Sequence, residues 1–241
     1  MFINNKLGLV ESTETMLAHT QRLNQVTNNL ANINTNGYKR EDITFWEMLY
    51  TANDNRERVG KALKTVTNQT QGPVDATGNP LDFAINGDGF FKLQTPDGIR
   101  YSRAGSFSTN SQGQLVSPQG HLVLGEGGPI VINGADVSVS QDGIFHVDNQ
   151  PIDKLTIASF ADSDSLEKEG TNLFRLTDTG QELEATSYQI QQGALEGSNV
   201  NTVTEMAHML KLHRAYETQQ KIIQTFDEMD SKAINSVGKL T

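Results

Sequence analysis

The hydrophobic period of this chain changes twice, and that change limits its fold more than any other feature. Near the start, Leu9, Met16, Leu23 and Leu30 recur every seven residues, with Val10, Leu17, Val26 and Ile33 close to the same side. A seven-residue apolar repeat marks a helical stripe with near-coiled-coil spacing. The residues between are Thr, Asn, Gln, Ser and Glu, and Thr and Asn are mediocre helix formers, so a helix over 5–33 is expected to be weak alone. Asn36–Gly37 supplies its stop signal, because glycine accepts the left-handed backbone that often ends a helix. At the other end, Met209, Leu212, Tyr216, Ile223, Phe226, Ala233 and Val237 follow alternating steps of three and four, with Gln219 and Asp230 as polar interruptions. Met206 and Leu210 are expected to widen that stripe. Ser198 or Asn199 is expected to cap this second helix, and Gly238 lies near its end.

Between these helices the period falls to two. Segments such as "DFAIN", "GFFKLQT", "HLVLG", "IFHVD", "KLTIASF" and "SYQIQ" alternate with turns such as "NGDG", "PDG", "PQG" and "QDG". Short strands between Asp-Gly and Asn-Gly turns predict an antiparallel all-β domain. The expected organisation is a helix over 1–33, a connector over 34–75, a central β domain over 76–192 and a helical segment over 193–241. The fold class is α+β, with the terminal helices pairing as a coiled coil. Each helix would then have one neighbour, and the surplus apolar surface would be buried against other copies.

Composition closes off several functions. A net charge of −10 disfavours a general nucleic-acid binder. The chain has no cysteine, so it has no disulfide framework and no thiolate nucleophile. The longest apolar runs hold three residues, as in Leu122–Leu124, whereas a membrane helix needs about 20. The N-terminus lacks the basic and apolar regions of a cleaved signal peptide, so export would need another route.

No catalytic constellation is visible, and no cofactor is implied. Glu205 and His208 form one Glu-x-x-His, where a di-iron bundle needs two, so a solvated helix face is favoured. "DSDSLE" begins like a calcium loop but lacks its glycine and its distal Glu. The glycines of "NGDGFF" and "GEGGP" lie between strands and not before a helix, as a phosphate cradle requires. Phe90, Phe91, Tyr101 and Phe107 read as core aromatics, or alternatively as the lining of a ligand groove. The basic stretch from Arg56 to Lys64 reads equally as a linker or as a contact for an acidic partner.

The segment Thr27–Asn28–Asn29–Leu30–Ala31–Asn32–Ile33–Asn34–Thr35–Asn36–Gly37–Tyr38–Lys39–Arg40 resembles a signature of the flagellar axial family, the rod and hook proteins of the bacterial flagellum. Thr27 stands where many members carry Ala. "GALEGSNVNTVTEM", with Gly197, Ser198, Asn199 and Val200, resembles the C-terminal counterpart. The stretch from "PLDFAINGDGFF" to "GEGGPI" and the later "EGTNLFRLT" resemble the family's β domain. The resemblance covers almost the whole chain, and its motifs occur in order. The short run from Met48–Tyr50 to Asn68 is most like the proximal rod members, ahead of distal rod and hook members. The resemblance implies a structural, non-enzymatic subunit in the basal body, exported through the flagellar type III apparatus. Its partners would be copies of itself and other rod proteins, including the distal rod protein. Leu9, Met16, Leu23, Leu30, Met209, Leu212, Tyr216, Ile223 and Phe226 would pack subunits. Gly37 would permit a backbone reversal, and Gly37→Val is expected to block assembly while leaving the β domain folded. A β module that binds cell wall is the competing reading.

Overall fold

The computed structural model describes residues 2–51, 57–134 and 136–237, with side chains described within 12–44 and 64–232 apart from 135, 163 and 230. Arg56, Gly238 and the side chains of Leu9, Val10, Ala233 and Val237 lie outside the described residues. The chain is α+β and forms two compact units. One takes residues 1–31, 42–64 and 201–241, the other 32–41 and 65–200.

In the first unit, helix α1 (Phe2–Ala31) packs against helix α2 (Thr202–Val237). The threonines that weaken helix propensity are accommodated locally. Thr20 and Thr27 donate to the carbonyls of Met16 and Leu23, one turn back, and Thr218 and Thr225 do the same on α2. Helix α2 is capped by Asn201, whose Oδ1 accepts the Thr204 N–H at 3.0 Å. The cap therefore falls two residues beyond Asn199, because Ser198 and Asn199 are engaged elsewhere. Strands β1 (Glu41–Thr51) and β2 (Glu57–Thr67) pair as a two-stranded sheet in the stretch read from sequence as a connector.

The second unit is the central β domain. It includes β3 (Val74–Ala76), β4 (Phe83–Gly87), β5 (Phe90–Thr95) and β6 (Gly98–Ser102). Its largest sheet runs, in order, through Leu166–Glu169, Leu173–Leu176, β6, β5, Leu122–Gly125, Leu115–Val116 and Ser108–Thr109, with every pairing antiparallel. Two smaller pairings tie the end of the domain to its beginning. Tyr188–Gln192 runs along β4, with Ile190 opposite Ile85, and Ala194–Glu196 runs along β3, with Glu196 opposite Val74.

Alternation on β5 builds two cores. Phe91 and Leu93 face a cluster with Phe83, Ile85, Phe107, Leu115, Phe145 and Ile190. Phe90 faces the other way, against Tyr101, Leu166 and Phe174. A buried side chain of this size contributes about 1.5–3 kcal/mol of transfer free energy. Phe90, Phe91, Tyr101 and Phe107 are thus interior, and none lines a groove. The hairpin from Ile144–Val147 to Gln150–Lys154 turns through Asp148 and Asn149, both at positive φ (51° and 62°), as a two-residue hairpin turn requires.

Candidate functional site

The β unit buries three charges where its ends come together. Lys39 follows the turn after α1, Arg103 follows β6, and Glu196 ends the strand paired with β3. The Lys39 and Glu196 side chains are fully buried, with Nζ 2.6 Å from Oε1. Lys39 spends its other donors on the carbonyls of Thr70 (2.8 Å) and Gln69 (3.4 Å). Glu196 Oε1 also accepts the Gly72 N–H at 3.1 Å, and Oε2 accepts from Arg103 at 3.2 Å. Arg103 donates further to the carbonyls of Ile85 (3.2 Å) and Gly87 (2.7 Å), and its guanidinium lies 5.2 Å from the Phe90 ring centre. One carboxylate thus joins two cations, and all three anchor backbone. Burial is the main influence on both Lys39 and Arg103, pushing each below its ordinary pKa against the attraction of Glu196.

Asn199 makes a second layer. Its Oδ1 accepts the Arg40 N–H at 2.7 Å, and its Nδ2 donates to the carbonyls of Asn68 and Thr70, both at 2.9 Å. Backbone bonds run alongside, from Gly37 N–H to the Glu196 carbonyl (2.8 Å) and from Gly197 N–H to the Pro73 carbonyl (2.7 Å). Tyr38 is buried, with the Lys168 ammonium 3.6 Å from its ring centre, and that ammonium also donates to the Lys39 carbonyl at 2.9 Å. Burial lowers the Lys168 pKa, and Glu41, 3.5 Å away, opposes it. Segments 37–41, 68–73 and 196–199 are clamped together as one node.

The motif residues divide around this node. Gly37, Tyr38, Lys39, Gly197 and Asn199 are in it, and Ser198 and Val200 are buried beside it, with the Ser198 hydroxyl accepting the Val200 N–H. Asn32 and Thr35 bond each other in the turn after α1. On the last turns of α1, Asn29 is buried, Leu30 is half-buried, and Asn28 and Ala31 are exposed. Gly37 does not cap α1, which ends at Ala31. Its φ of +69° serves the node, and a Cβ there would lie 2.2 Å from the Ala104 nitrogen. A valine at this position therefore damages the β unit itself, contrary to the expectation from sequence.

On the helices, Met16, Leu23, Val26 and Leu30 are half-buried or buried, as are Met209, Leu212, Tyr216, Ile223 and Phe226. Leu17, Met206 and Leu210 are exposed (60%, 50% and 63%), so they stand off these stripes. Sequence reading missed Glu196, Arg103 and Lys168 as a set. The available signal was a lone acid in "GALEGS" and a lone base in "SRAGS", each inside a run of small residues. Among the described residues no His, Asp or Glu group is arranged to hold a metal ion, and no helix is long and apolar enough to cross a membrane.

Comparison with known proteins covers the same segments. Residues 12–39 match the family described as flagella basal body rod protein. Residues 84–147 match the flagellar hook protein FlgE/F/G D1 domain, and 191–236 match the flagellar basal body rod FlgEFG protein C-terminal. Lys39, Arg103 and Glu196 each fall in a different one of these matches. The basal-body rod protein FlgF of Caulobacter vibrioides is 37% identical over 228 residues, covering 91% of this chain and 93% of that protein. FlgG of Buchnera aphidicola is 35% identical over 242 residues, covering 87% and 92%. FlgF of Mesorhizobium japonicum is 29% identical, covering 96% and 98%. With likeness of this extent at both ends and in the middle, the chain belongs to the family of flagellar basal-body rod proteins that includes FlgF and FlgG.

Proposed function

We propose that this chain is a structural subunit of the flagellar basal-body rod, of the proximal, FlgF type, and that it assembles through its terminal helices into a hollow, torque-transmitting axial structure. One observation carries the reading. The covered positions of α1 include Ser12, Met16, His19, Leu23, Val26 and Leu30, and those of α2 include Met209, Leu212, Tyr216, Gln219, Ile223 and Phe226; each set alternates by three and four, yet most of its members are only half-buried. That spacing supports coiled-coil pairing of α1 with α2. The incomplete cover supports further neighbours. Apolar burial returns about 25 cal/mol per Å², and spread over several neighbours in a non-closing array it resists shear along a filament.

The assignment to FlgF over FlgG rests on the short span between Tyr50 and Asn68. FlgG is the alternative, since relatives of both names match at similar identity. The partners would be further copies, the distal rod protein and the type III export apparatus, with the rod crossing the periplasm. The test is complementation of a strain lacking this gene. The full chain restores swimming and is found in purified basal bodies, whereas a chain lacking 1–31 and 202–241 does neither. Swimming restored by the truncated chain refutes the proposal. A distal-rod gene immediately downstream would favour FlgF over FlgG.

A further inference from the structure

We propose that the face of α2 bearing Val203, Met206 and Leu210 is the seat for the helical unit of a second copy, and that Leu17 of that copy is the knob it receives. The inference rests on the reading of the chain as a rod subunit and adds which surfaces meet.

Val203, Met206 and Leu210 are 77%, 50% and 63% exposed. Their spacing of three and then four places them on one face of α2. That face is about a third of a turn, roughly 120°, from the mean direction of Met209, Leu212, Tyr216 and Ile223, the positions that become covered. It is therefore not the side used against α1. Among the described side chains of α1, those from residue 12 on, Leu17 is the one large apolar group left exposed, at 60%, and it too stands off the covered side.

Charge favours a second helical unit as the occupant. Residues 1–31, 42–64 and 201–241 carry eleven basic and eleven acidic residues, whereas the β unit carries eight basic and eighteen acidic. The whole net charge of −10 therefore lies on the β unit, so packing β unit on β unit meets like-charge repulsion. A helical unit can pack on a helical unit without it. The local charges also match. Glu14 is exposed one turn before Leu17, and Arg214 is exposed one turn after Leu210. Glu217, also near this face, is already paired with His213 at 3.3 Å. A contact between two different surfaces does not close on itself, so it propagates as a filament requires.

The absence of cysteine makes the contact directly testable. Two full-length variants, Leu17→Cys and Leu210→Cys, are produced together with different tags, and basal bodies are purified and oxidised. A disulfide requires Cβ atoms about 3.5–4.5 Å apart. The expected result is a cross-link between the two tags at least tenfold above that in cells making either variant alone. Glu14→Lys lowers the yield, and Glu14→Lys in one copy with Arg214→Glu in the other restores it. Cross-linking of Leu210→Cys to itself, or no cross-link although both variants are in the basal bodies, overturns the inference and leaves the rod assignment standing. If neither variant nor the unaltered chain is found in basal bodies, the rod assignment falls and the inference falls with it.

Discussion

Glu196→Ala isolates the contribution of the buried node. The substitution removes the carboxylate 2.6 Å from Lys39 and 3.2 Å from Arg103 and leaves both cations buried. Breaking a buried ion pair by deleting one partner costs about 3–5 kcal/mol. Against a typical domain stability of about 5–15 kcal/mol that is a large share. For a unit of this size, about 2–4 °C of melting temperature is lost per kcal/mol, so the expected drop is about 6–20 °C. Scanning calorimetry of the full chain reads it, with near-ultraviolet dichroism of the tyrosines and phenylalanines assigning the transition to the β unit. Glu196→Gln, which keeps an acceptor toward Lys39 and the Gly72 N–H but loses the charge, falls between alanine and the unaltered chain. Glu167→Ala breaks the exposed pair with Arg175 and leaves the transition where it was. A drop below about 2 °C for Glu196→Ala would show that Lys39 and Arg103 find water or other partners, and the node would lose its structural role.

Three further substitutions probe other parts of the molecule. Gly37→Val forces a side chain into positive φ, which costs about 1–2 kcal/mol before any clash with the Ala104 backbone, so the β unit melts lower; an unchanged transition refutes the close approach. Tyr101 donates to Glu182 at 2.6 Å, and burial, reinforced by that bond, raises its pKa well above the ordinary 10.0. The unfolded phenol ionises first, so the stability it carries is full below pH 10 and declines by about 1.4 kcal/mol per pH unit above it. Tyr101→Phe flattens that decline in urea midpoints measured from pH 9 to 11.5, and parallel slopes refute the assignment. Ile223→Asp places a charge on the covered stripe of α2, lowers helical ellipticity and helix-pair stability by about 1–3 kcal/mol, and abolishes swimming; normal swimming removes the stripe from assembly.

Local rules read much of this fold directly. The three-four spacing marked the covered side of α2 because that side is fixed by its own sequence. The "NG" and "DG" turns marked the antiparallel domain for the same reason. Three features escaped because they depend on distant partners. Lys39 reads as a surface cation until Glu196, 157 residues later, is placed beside it. Asn199 reads as a helix cap until Arg40 and Asn68 claim its amide, which moves the cap to Asn201. Met206 and Leu210 read as part of the stripe because single apolar residues one position off a heptad are ambiguous until burial separates them.

The buried charges also account for something an apolar plug would not supply. An ion network of this kind contributes little net stability over hydrophobic packing, but it is strict about geometry. Glu196 meets both cations only while Ala194–Glu196 sits on β3 in its observed register, since a slip of one residue turns every side chain to the other face. Six residues beyond Glu196, α2 begins at Thr202. The same node holds Gly37 and Lys39, on the stem that follows α1. A register error at Glu196 would therefore part the carboxylate from Lys39 and Arg103 and open the node. On this account Glu196→Ala loosens the pairing of Ala194–Glu196 with β3 even at temperatures where the β unit is still folded, read as faster amide hydrogen exchange along that strand, whereas Glu196→Gln, which keeps the register-defining acceptor for Lys39 and Gly72, exchanges nearly as the unaltered chain does.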